Sequence, residues 1–85
     1  MTESPEARLK RLRMRSWRRG TKEMDLILGP FADAHLTRLD DATLEAYDRL
    51  LQENDQDLYL WVTGKFDPPA VHRDMIARIA AAAGV

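Results

Sequence analysis

The sequence predicts an all-α fold: one small domain over residues 1–85, a single bundle of five to six short helices with frayed ends at 1–5 and 83–85. Three observations carry this expectation. Apolar side chains recur three and four residues apart in one segment after another, which places them on one face of a helix. Proline, glycine and short acidic residues fall between those segments, where helices start and stop. No stretch alternates polar and apolar residues for long enough to require a sheet; Leu58–Val62, rich in aromatic and aliphatic residues, also reads as a buried strand.

The first helix follows Pro5, a good first-turn residue, and runs through Ala7–Arg15 with Leu9 and Leu12 on its apolar side among long basic side chains. Gly20 interrupts it. Met24, Ile27, Leu28 and Phe31 then follow at i, i+3, i+4 and i+7, the core face of a second helix. Gly29-Pro30 is expected to stop that helix, since proline lacks an N–H and clashes with the preceding turn, leaving Phe31–Leu36 as a short further turn or helix. Asp40 or Asp41 caps a third helix over about Ala42–Glu53, with Leu44, Tyr47, Leu50 and Leu51 facing inward. Asn54-Asp55 ends it and caps the next, where Leu58, Trp61 and Val62 mark a buried face before Gly64. After Pro68-Pro69 a last helix starts at Ala70, with Val71, Met75, Ile76 and Ile79 on its apolar side, and ends in alanines and Gly84.

Composition narrows the function. The chain has 85 residues, no cysteine and 45% apolar residues, so an unstapled core must hold it together. A domain this small has little room for an enclosed cofactor or a deep catalytic cleft. His35 and His72 belong to no metal-ligand spacing, and the carboxylates at Asp40-Asp41 and Asp55–Asp57 sit where helix starts need acids. Phosphate-loop and nucleophile motifs are absent, so no catalytic and no metal residue is assigned and an enzyme is not expected. No apolar run approaches the roughly 20 residues of a membrane span.

Charge is uneven along the chain. Residues 1–20 carry seven basic side chains (Arg8, Lys10, Arg11, Arg13, Arg15, Arg18, Arg19) against Glu3 and Glu6, whereas the remainder carries six basic against twelve acidic. The basic end is a candidate handle for an acidic partner, a nucleic acid or an anionic surface. Within it, Gly20 is expected to cap the second helix, which would put Glu23 at the third helical position and add Asp25 to the first turn. Arg18 and Arg19 lie beside the positive end of that helix with Trp17 next to them, and cations there have no local reason to cluster. Arginine with tryptophan is the composition of an interface anchor, and a bare glycine backbone permits close approach. The candidate partner-binding residues are therefore Arg15, Trp17, Arg18, Arg19, Gly20, Glu23 and Asp25.

The string Arg19-Gly20-x-x-Glu23 followed by Asp25, with the acidic and aromatic segment Asp55-Gln56-Asp57-Leu58-Tyr59-Leu60-Trp61 about thirty residues on, resembles the succinate dehydrogenase assembly factor family. These are the small flavinylation factors called SdhE in bacteria, with a mitochondrial counterpart, and the resemblance covers roughly residues 8 to 80. It implies an all-helical assembly chaperone that promotes covalent attachment of FAD to a histidine of the flavoprotein subunit of succinate dehydrogenase or fumarate reductase. Arg19, Gly20 and Glu23 match the motif that faces the flavoprotein, Asp25 matches a neighbouring acidic position, and Thr21 stands where the family commonly has an apolar residue. FAD is then the client's, with no cofactor held stably by this chain, and the free protein is expected to be a monomer. The rival reading is a small helical nucleic-acid-binding protein using the basic segment 8–19; against it, the pI is about 6.1 and residues 21–85 would repel phosphates. Membrane insertion of Leu9, Leu12, Met14 and Trp17 is not expected, because that apolar face is too small. With no signal peptide and no clear transit peptide, a bacterial cytoplasmic location is expected.

Overall fold

A computed structural model describes residues 3–84. Five helices, α1 (Pro5–Trp17), α2 (Lys22–His35), α3 (Asp41–Leu50), α4 (Asp55–Val62) and α5 (Arg73–Ala83), surround one core, with single 3-10 turns at Leu36–Arg38 and Ala70–His72. The described residues contain no strand, so Leu58–Val62 is the helical rather than the extended alternative. Of the ends expected to fray, residues 1, 2 and 85 fall outside the described residues; Ser4 caps α1 by accepting from the Ala7 N–H at 3.2 Å, and Gly84 closes α5 with φ of 77°.

Four boundaries differ from the sequence expectation. Gly29-Pro30 does not stop the second helix, which runs through both residues to His35. Pro30 is exposed, as is Leu26 one turn earlier, so the Leu26 carbonyl that loses its proline donor faces water. Gly29 is a notch: a Cβ there would lie 2.3–2.6 Å from ring atoms of Trp17, which packs against the bare backbone. The cap of α2 is Thr21, not Gly20; its hydroxyl accepts from the Met24 N–H, which moves Glu23 to the second helical position. Helix α3 ends at Leu50 instead of continuing to Glu53, and the chain turns through 51–53. At the last helix, Ala70–His72 forms a 3-10 turn, whose tighter winding leaves Val71 59% exposed and buries His72 in its place. Trp61 is likewise only half-buried against the core, its ring tilted over His72 with centroids 5.8 Å apart.

Leu12, Met24, Leu28, Leu36, Tyr47, Leu50, Leu58 and Ile79 are fully enclosed and join all five helices. Tyr47 brings a hydroxyl into this apolar interior, where it must find a partner. Ser16 on α1 supplies one: its Oγ is 2.5 Å from the Tyr47 oxygen and donates to the Leu12 carbonyl at 2.8 Å. The Tyr47 ring stacks on Phe31 of α2 at 5.6 Å, so one side chain ties α1, α2 and α3 together.

Burial pushes the Tyr47 phenol up to about 12, only partly offset by the hydrogen bond with Ser16. A group whose pKa is raised in the folded state contributes stability that is whole below its unfolded value, near 10, and lost as pH rises through the folded value. Urea unfolding across pH 9 to 12 should therefore show an alkaline loss of stability that is smaller in Tyr47→Phe. At neutral pH that substitution should cost about 1 kcal/mol, one hydrogen bond with the ring packing kept.

Candidate functional site

The loop between α1 and α2, Arg18–Thr21, is pinned to the corner between α3 and α4. Arg19 does most of the pinning. Its Nε donates to Asp55 Oδ1 at 2.7 Å, Nη1 to the Leu51 carbonyl at 2.9 Å and Nη2 to the Glu53 carbonyl at 2.7 Å. The Arg19 and Asp55 side chains are each 10% exposed. On the other side of the loop the Arg19 backbone N–H donates to Asp25 Oδ1 at 2.6 Å, and the Thr21 N–H donates to Asp55 Oδ2 at 2.9 Å. Gly20 threads between these contacts, where an added Cβ would lie 3.3 Å from Asp55 Oδ2.

The clamp explains why α3 ends early. An arginine fork that donates to the backbone carbonyls of Leu51 and Glu53 draws the chain out of the helical ladder at 51–53, and Asn54 restarts it by accepting from the Asp57 N–H at 2.8 Å. Arg19 next to a helix start thus has a local reason after all: it meets a carboxylate and two carbonyls, as its geometry favours, but they belong to its own chain.

The seven candidate residues divide accordingly. Arg19 and Asp25 build the loop from within, and Arg15 supports it, reaching the Leu51 carbonyl at 3.3 Å and Asp48 at 3.5 Å. Trp17 is 39% exposed; its indole lies over Gly29 and donates to Asp33 at 3.2 Å. Arg18, Gly20 and Glu23 are exposed, and Glu23 has no hydrogen bond or ion pair among the described residues.

The basic handle is largely engaged in ion pairs at the surface of its own chain. Arg8 pairs with Asp41, Arg11 with Glu3 and Asp48, Arg13 with Asp33 and Arg15 with Asp48, leaving Lys10 and Arg18 as the cations of this segment without an ion pair among the described residues. Bonds from Arg11, outweighing the cost of burial, hold the Asp48 carboxyl below the usual carboxylate range. The surface offered to a phosphate backbone is correspondingly smaller than the sequence suggests.

What the clamp leaves open is a groove lined by Thr21, Glu23, Asp55, Gln56, Tyr59 and Leu60, continuous with a concavity over Arg19, Gly20 and Asn54. Asp55, Gln56, Tyr59 and Leu60 were not assigned from sequence, though their spacing by four on one helix was the available signal. In sequence Asp55 reads as a helix-start acid, which it also is. Among the described residues no three His, Asp or Glu side chains are gathered to hold a metal, and no helix is long and apolar enough to cross a membrane.

In class, the chain is a small helical domain that presents a braced groove at one corner. It belongs to the family described as "Flavinator of succinate dehydrogenase", whose model matches residues 10–83. It is similar to the mitochondrial succinate dehydrogenase assembly factor 2 of Meyerozyma guilliermondii, 45% identical over 65 residues that are 76% of this chain and 48% of that protein. The corresponding protein of Aspergillus flavus is 48% identical over 59 residues, 69% of this chain and 20% of that one. That of Mycosarcoma maydis is 42% identical over 69 residues, 81% and 29% respectively. The chain spans less than half the length of these curated relatives. They also correct the location expected from the sequence: they are mitochondrial proteins of fungi, not proteins of a bacterial cytoplasm.

Removing the Arg19 side chain takes the donor from Asp55 Oδ1 and from two carbonyls and leaves the buried carboxylate without its cation. Arg19→Ala should cost about 3–5 kcal/mol in urea unfolding, the range for breaking a buried ion pair from one side. Arg19→Lys should recover less than half of that, because an ammonium cannot reproduce the three-way fork.

Proposed function

We propose that this chain binds the flavoprotein subunit of succinate dehydrogenase, or of the related fumarate reductase, and promotes covalent attachment of FAD to it. The reading is supported chiefly by the family match over residues 10–83, which includes Arg19-Gly20-x-x-Glu23 and the groove beside it. The chain acts as an assembly chaperone rather than an enzyme: it holds a partly ordered client so that the client's histidine and flavin meet in attacking geometry. Orientation of two reactants is by itself worth several orders of magnitude in rate.

In this reading the residues have different tasks. Arg19, Asp25 and Asp55 hold the shape of the docking face without touching the client. Glu23, Gly20, Gln56 and Tyr59 meet it, with Trp17 and Arg18 at the margin. A preorganised loop is favourable for such a role, since a surface already ordered loses little entropy on binding. FAD belongs to the client: the groove presents the Glu23 carboxylate, and the Arg19 guanidinium beside it is spent on Asp55, which suits a protein surface better than a dinucleotide pyrophosphate. The free protein works as a monomer.

The test is covalent flavin on the flavoprotein subunit, followed by in-gel flavin fluorescence. Glu23→Ala should leave the fold intact, because the carboxylate has no partner among the described residues, and should slow flavin attachment about tenfold or more, as loss of a central contact does. Gly20→Arg should do the same and also lower the melting temperature, since its Cβ would crowd Asp55 Oδ2 at 3.3 Å. Normal flavin loading by a folded Glu23→Ala variant would count against this docking face.

A further inference from the structure

One buried titratable group has no part in the Arg19 clamp. His72 is 3% exposed, at the start of α5, and its Nε2 lies 2.8 Å from Glu53 Oε2. With Glu53 ionised, the Nε2–H donates to it. The Trp61 ring lies tilted over the imidazole, and the His72 backbone N–H holds the 3-10 turn by donating to the Pro69 carbonyl at 2.9 Å.

Filling this position does not need a histidine; a leucine or phenylalanine would occupy the space without a polar group to satisfy. What the imidazole adds is a tether. Glu53 is the residue whose backbone carbonyl accepts Arg19 Nη2 at 2.7 Å, and it lies two residues before Asp55. The segment 51–55 is therefore held by Arg19 from the α1–α2 loop and by His72 from the start of α5.

We propose that His72 and Glu53 are positioning residues for the docking face, a second latch that keeps the 51–55 corner in the register Arg19 and Thr21 require. This rests on the function proposed above, in that the corner carries Asp55 and leads into Gln56 and Tyr59, which line the groove. Neither residue touches the client. The latch acts by limiting the excursions of the corner, so that the two halves of the groove, one from α2 and one from α4, stay at a fixed separation.

The experiment compares the full chain with Glu53→Ala, His72→Phe and His72→Gln, reading native-state amide hydrogen exchange and affinity for the purified flavoprotein subunit. Glu53→Ala is the safe variant for folding, because the side chain is 38% exposed. In both Glu53→Ala and His72→Phe the amides of Thr21, Gln52 and Glu53 should exchange about tenfold faster while Leu28 in the core keeps its protection. Flavoprotein affinity should fall about three- to tenfold at a temperature where the variants are fully folded. His72→Gln, which can still donate to Glu53, should recover most of both effects. The latch is overturned if exchange at these amides is unchanged, if it rises equally throughout the molecule, or if folded variants bind the flavoprotein as the parent chain does. Failure of the parent chain itself to bind would instead overturn the underlying function, a distinguishable result.

Discussion

A single guanidinium, that of Arg19, sets the geometry on which the site depends. Its three contacts join a loop between the first two helices to a corner between the next two, across 32 to 36 residues of chain. An arginine placed this way is hard to replace: its planar fork satisfies a carboxylate and two carbonyls at once, and each of those groups would otherwise be left partly desolvated. The same contacts end α3, orient the start of α4 and hold the backbone at Gly20 against Asp55. Shape at this corner is thus a product of polar contacts laid over a conventional apolar core, rather than of the core alone.

That arrangement changes how the Arg-Gly-x-x-Glu string is understood in this chain. A surface motif is usually pictured as a row of side chains reaching outward. Here its arginine turns inward, its glycine permits a close passage and its glutamate is exposed, with no partner among the described residues. The string combines a brace and a contact in five residues. The neighbouring basic residues are also paired within the chain, but at its surface: Arg8, Arg11, Arg13 and Arg15 meet acids on α3, α2 or the chain's own start. The charge asymmetry along the sequence is in good part the two sides of internal ion pairs, separated by the order of the chain and reunited by the fold.

Much of the architecture was legible in advance, because helix periodicity and capping are local. Leu44, Tyr47 and Leu50 on one face, or Asp40 and Asn54 at helix starts, can be found without knowing what lies across the molecule. The differences arise where a distant residue decides. Gly29-Pro30 looks like a terminator until Trp17 is seen to fill the notch, and Val71 looks like core until the start of the last helix tightens into a 3-10 turn. For the site, the motif residues were recognisable but their division of labour was not. Asp55 shares no local pattern with Arg19, and the tie between Glu53 and His72 spans 19 positions.

The notch at Gly29 constrains how this family can drift. With ring atoms of Trp17 as close as 2.3 Å to where a methyl group would stand, position 29 cannot gain a side chain while the tryptophan keeps its place. A lineage that acquires even alanine at 29 must first trade its tryptophan for something slimmer, and one that keeps the tryptophan inherits the glycine with it. These two sites, twelve residues apart, should be passed down as a pair.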